Sequence, residues 1–104
     1  MSSRIDALRS MLDKRPDDPR LRFGLALEYL NAGQLAEGVE QLREYLSSTE
    51  DEGNAWGRLG AALYELGREE EAREAYRRGI AQAEKHGHPT MADEFREILE
   101  DWDR

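Results

Sequence analysis

The sequence predicts an all-α protein, an α-solenoid built from antiparallel helix pairs. Three observations carry that expectation. Proline and glycine divide the chain into about six short helical segments. No segment alternates apolar and polar residues as a half-buried strand does. Gly33 and Gly67, each closing a helical segment, stand 34 residues apart, and that shift superimposes other residues too.

The segments follow from local chemistry. Ser3 with Asp6 reads as a capping box before "IDALRSML", where Ile5, Leu8, Met11 and Leu12 form one apolar stripe. That helix ends before Pro16. Asp18 caps a second helix with Pro19 at its first position, and Gly33 stops it. A third runs from about residue 35 to 47 and is followed by the polar "SSTEDEGN". A fourth spans about 54–66 and stops at Gly67; a fifth covers about 69–85 and is broken by "KHGHPT". Thr90 with Asp93 reads as a second capping box, opening a last helix through Trp102.

Sliding the chain by 34 residues places Leu25 on Leu59, Ala26 on Gly60, Leu30 on Tyr64, Glu37 on Glu71, Gly38 on Ala72 and Leu42 on Tyr76. Small residues inside helices suit close helix crossings. Ala26 with Gly38, and Gly60 with Ala72, are expected where the backbones of each pair meet. A glycine inside a helix costs about 0.5–1 kcal/mol relative to alanine, so Gly24, Gly38, Gly57, Gly60 and Gly79 are each expected to mark a close contact.

The second unit, "AWGRLGAALYELGREEEAREAYRRGI", resembles a tetratricopeptide repeat through Trp56, Leu59, Gly60, Leu63, Gly67, Ala72 and Tyr76. The first is a more divergent copy, with Arg22 where the family has tryptophan, Gly38 for the usual alanine and Tyr45 where a small residue is usual. The resemblance implies a single domain over 1–104: a half-repeat helix at 3–18, repeats at 19–52 and 53–86, and a capping helix at 90–102.

Helix 19–32 is apolar on two sides. Leu21, Leu25, Tyr29 and Ala32 gather on one face, and Phe23, Leu27 and Leu30 nearly opposite. In the family this second face lines a concave groove. The resemblance therefore implies a partner-binding groove with Phe23, Leu27, Leu30 and Tyr64 as walls and Gly57 and Ala61 as floor. Arg20, Asn31, Asn54, Arg58 and Glu65 would lie around them. Some family members clamp a C-terminal carboxylate with Lys, Asn and Arg. Here Phe23 and Leu27 replace the clamp's Lys and Asn, and Arg58 replaces a second Asn, so that clamp is not implied.

Composition sets the function class. The formal net charge of −8 disfavours nucleic acid and anionic lipid and favours a basic protein or peptide partner. Without cysteine there is no disulfide and no thiolate metal site. No apolar run is long enough to cross a bilayer, and "MSSRIDALRS" lacks the apolar core of a secretory signal, so a cytoplasmic location is expected. His86 and His88 are close enough to share a metal ion, but a solvated turn is the simpler expectation and no metal or cofactor is expected. "REEEARE" at 68–74 and "TEDE" at 49–52 read as solvated helix starts or loops. No nucleophile elbow, phosphate loop or catalytic triad is present, so no enzyme and no catalytic residue is expected. The reading is a non-catalytic protein-interaction module, an adaptor or assembly factor. Self-association into a homodimer, through the groove or the last helix, is the alternative. Met91, Phe95, Ile98 or Leu99, and Trp102 form the stripe by which that helix would cap the array or join a second copy.

Overall fold

A computed structural model describes residues 3–104. Among these residues there are six helices and no strand: α1 (Arg4–Lys14), α2 (Pro19–Asn31), α3 (Leu35–Ser48), α4 (Asn54–Glu65), α5 (Glu69–Lys85) and α6 (Pro89–Trp102). The chain is an all-α helical repeat protein, divided into two compact units, the first ending at Thr49 and the second running Glu50–Arg104.

The helix ends follow the sequence chemistry closely. Ser3 accepts a hydrogen bond from the Asp6 N–H at 3.2 Å, and Asp18 accepts from the Arg20 N–H at 3.0 Å, with Pro19 opening α2. Gly33 and Gly67 have φ of +78° and +79°, a conformation that costs glycine nothing. Each closes its helix with the same pair of bonds. The Gln34 N–H reaches the Tyr29 carbonyl at 2.9 Å and the Gly33 N–H the Leu30 carbonyl at 3.0 Å; Arg68 to Leu63 and Gly67 to Tyr64 repeat them at 2.9 and 3.0 Å.

Two helix starts differ from expectation. Helix α6 begins at Pro89, with His88 as its cap residue and no side-chain cap bond, so Thr90 and Asp93 make no capping box. Proline lacks an N–H and has φ preset for a first helical position, so it takes that place ahead of Thr90. At α4, Asp51 Oδ2 accepts the N–H groups of Gly53 (2.9 Å) and Ala55 (2.8 Å). The "TEDE" loop before α4 thus also supplies a side-chain acceptor for the first turn of that helix.

In the first unit, Phe23 near the start of α2 meets Tyr45 near the end of α3, while Leu30 near the end of α2 meets Gly38 near the start of α3, so the two helices run antiparallel. Helix α1 packs antiparallel on α2 through Leu8 against Gly24 and the Arg4–Glu28 ion pair at 2.6 Å. Leu12, Leu25 and Tyr29 form the buried centre, with Ile5, Leu8 and Leu21 packed against it.

In the second unit, Trp56 meets Gly79 and Gly60 meets Tyr76, which makes α4 and α5 antiparallel. Helix α6 runs antiparallel to α5 and parallel to α4: Met91 lies at Gly53, Phe95 at Gly57 and Gly79, and Trp102 at Tyr64 and Tyr76. The small residues do more than meet one another. A Cβ on Gly60 would stand 2.7 Å from the Tyr76 ring, so the glycine accepts a large side chain from the opposite helix. Gly38 likewise takes Leu30, 2.5 Å from a built Cβ that would also stand 3.4 Å from the Ala26 carbonyl, so Ala26 and Gly38 do meet as expected. Phe95 occupies a slot whose two walls are Gly57 and Gly79. Burying apolar area this way contributes about 25 cal/mol per Å².

Candidate functional site

On α4, Asn54, Arg58, Ala61 and Glu65 recur at spacings of four, three and four residues, which places them on one helix face. All four are exposed. Tyr64 borders that stripe and is 45% exposed, one of the few large apolar side chains so open among the described residues. On α2, Arg20 and Asn31 are exposed and Leu27 is half-buried.

The remaining sequence-expected residues have partners within their own units. Phe23 packs on Tyr45 with ring centroids 5.0 Å apart and planes at 39°. Leu30 fills the space above Gly38. Gly57 is buried beneath Phe95, which would stand 2.5 Å from an added Cβ. Tyr64 stacks one ring face on Trp102 at 4.1 Å and 7°. Phe23 and Leu30 thus serve as packing within the first unit, and Gly57 serves as a seat for α6. Sequence periodicity assigned these residues to a face but could not show what already occupies it.

Trp102 itself is well anchored. It meets the edge of Tyr76 at 5.5 Å and 73°, and the Arg73 guanidinium lies over its ring at 5.6 Å. Arg73 also donates to Asp103 (2.8 Å), Glu69 (3.0 Å) and the Trp102 carbonyl (3.5 Å). Its hydrogen bonds to the Glu69 and Asp103 carboxylates hold the Arg73 guanidinium above its usual range.

Arg20 pairs loosely with Asp18 at 3.7 Å. Arg22, standing where the family has tryptophan, donates to Gln41 Oε1 (2.8 Å) and to the Pro16 carbonyl (3.3 Å). A recess of about 540 Å³ in the first unit is floored by Leu12, Leu25 and Tyr29 and rimmed by charged residues of α1 and α3. None of the residues expected at the groove lines it.

The two histidines join the segment before α4 to the turn before α6. His88 Nε2 lies 2.5 Å from Glu52 Oε1; His86 Nε2 lies 3.3 Å from Glu50 Oε2, out of line for a hydrogen bond. Lys85 donates to Glu50 at 2.9 Å. Lys85 holds the Glu50 carboxyl below its ordinary value, and His88 does the same for Glu52. Among the described residues, no three His, Cys, Asp or Glu side chains are placed to hold a metal ion.

The sequence profile of the tetratricopeptide repeat family matches residues 1–83. The chain belongs to the tetratricopeptide repeat family. It is 34% identical over 100 residues to the TPR repeat-containing protein PA0015 of Pseudomonas aeruginosa, covering 96% of this chain and 95% of that one. It is also similar to protein BPP2914 of Bordetella parapertussis, known from a solution structure, with a TM-score of 0.81 and 29% identity over 97% of this chain and 88% of the other. Tetratricopeptide repeat domains typically bind proteins and are generally non-catalytic. No helix among the described residues is long and apolar enough to cross a membrane.

Proposed function

We propose that this tetratricopeptide repeat protein is an adaptor or assembly factor that holds an extended segment or a helix of a partner protein against α4, the first helix of the second repeat. The observation that carries the reading is the α4 face: Asn54, Arg58, Ala61 and Glu65 form a continuous exposed stripe beside the half-open Tyr64. The stripe mixes amide, cation, anion and methyl groups without a nucleophile–base pair, which suits recognition rather than catalysis. The acidic net charge of −8 favours a basic partner over nucleic acid or an anionic membrane.

Self-association through the apolar stripe of α6 is the weaker alternative. Met91, Phe95 and Trp102 are already engaged inside their own unit.

The test is capture of partners from the source cell by the wild-type chain and by Arg58→Ser/Ala61→Gln. Both changes are on exposed positions, so the helical circular-dichroism spectrum should be retained. Loss of captured protein is expected; undiminished capture would overturn the α4 assignment. A constant light-scattering mass across a concentration series is expected as well, and a mass rising to twice the monomer would favour the homodimer.

A further inference from the structure

Tyr64 presents an unusual combination. One face of its ring is covered by Trp102 at 4.1 Å and nearly parallel, yet the residue remains 45% exposed. Stacking fixes the ring in place, and Trp102 is fixed in turn by the Tyr76 edge and by the Arg73 bond to its carbonyl. A partner group arriving on Tyr64 would therefore meet a surface that is already ordered, which reduces the entropy lost on binding.

The surroundings define what that group should be. Residues 50–104 hold eight Lys and Arg against fifteen Asp and Glu, so this unit carries −7 of the chain's −8. Glu65, the next residue, is exposed and enters no ion pair or hydrogen bond among the described residues. A cation is attracted to such a surface, and the face of an aromatic ring adds a quadrupole attraction. Between the two cationic side chains, the planar and weakly hydrated guanidinium stacks on rings better than an ammonium does. The same unit uses this contact twice, with Arg73 over Trp102 at 5.6 Å and Arg78 over Trp56 at 5.5 Å.

We propose that Tyr64, backed by Trp102, is a stacking platform for an arginine side chain of the partner protein. The proposal rests on the protein-binding reading above and gives that partner a chemistry: a segment carrying an arginine, with the guanidinium flat on Tyr64 beside Glu65, on a unit of net negative charge.

Two synthetic twelve-residue peptides, alternating Gly–Arg and alternating Gly–Lys, carry equal charge and separate stacking from simple attraction. Binding is followed by the NMR signals of the Tyr64 ring and the Trp102 indole. The arginine peptide is expected to shift both sets and to bind about threefold or more tighter than the lysine peptide, as a guanidinium–ring contact allows. Tyr64→Phe should keep that preference. Tyr64→Leu, which still covers Trp102 but offers no π face, should abolish it. Equal affinity for the two peptides, or a preference that survives Tyr64→Leu, overturns the platform. The Arg58→Ser/Ala61→Gln capture experiment leaves Tyr64 intact, so protein binding can stand when the platform falls, and the reverse.

Discussion

The two units solve the same packing problem with opposite parts. At equivalent positions 34 residues apart, the first unit has Phe23 and Tyr45 where the second has Gly57 and Gly79. In the first, the two rings pack on one another, so the space between first and second helix is filled from within. In the second, two glycines leave a slot that Phe95 enters from α6. Each unit also seats a large side chain over a glycine, at a different crossing of the repeat. The first unit puts its glycine, Gly38, on the second helix and fills it with Leu30 from the first. The other puts Gly60 on the first helix and fills it with Tyr76 from the second. These are different crossings of the repeat, since Gly38 and Leu30 align with Ala72 and Tyr64, and Gly60 and Tyr76 with Ala26 and Leu42.

The sharpest way to break this comparison is to empty the slot. Phe95→Ala should cost about 3 kcal/mol, the low end for a packed phenylalanine because the ring is half-buried. Phe23→Ala should cost less, about 1–2 kcal/mol, since Tyr45 remains to cover α2. Urea unfolding followed by circular dichroism measures both. Equal losses would mean that the slot holds α6 no better than the ring pair holds α3.

The glycines give a finer test. Gly60→Ala drives a methyl group into Tyr76, whose ring is held by Phe95 and Trp102, and should destabilise by about 1–2 kcal/mol. Gly38→Ala meets a leucine side chain that can rotate away, and the gain in helix propensity of about 0.5–1 kcal/mol offsets the crowding. Its midpoint should therefore stay close to wild type in the same titration. A large loss at Gly38 would show that Leu30 is as tightly held as Tyr76.

Asp51→Ala should cost about 1 kcal/mol by leaving the Gly53 and Ala55 N–H groups without their acceptor. Faster amide exchange confined to the first turn of α4 would identify the effect as capping. The smallest effect is the response to acid. Glu50 and Glu52 have folded-state values below the ordinary 4.5, lowered mainly by Lys85 and by His88 respectively. The stability they add is present above pH 4.5 and is lost as pH falls through the lowered folded values. A series of melting temperatures from pH 6 down to pH 3, on wild type and on His88→Gln, should show a slightly shallower decline in the variant.

Helix positions were legible because their signals are local: Asp18 before Pro19, or Gly33 after a periodic run, says where a helix begins or stops within a few residues. The cap of α6 is His88, two residues before the Thr90 that the sequence suggests, because Pro89 and Thr90 both favour helix starts and stand side by side. The cap from Asp51 was missed because it acts from two residues ahead of Gly53 rather than at the usual cap position. The glycine slots were legible only as slots. A missing side chain records that something comes close, but Phe95 lies 38 residues from Gly57 and nothing local names it. For the same reason the sequence put Phe23, Leu30, Gly57 and Tyr64 on a binding face without showing the neighbours that partly cover them.

Asp51 belongs to the short stretch just beyond Thr49, yet its carboxylate serves the helix that follows. Anyone isolating the C-terminal half should therefore begin the fragment at Glu50. A cut two residues later would keep every residue of α4 and still leave its opening turn frayed.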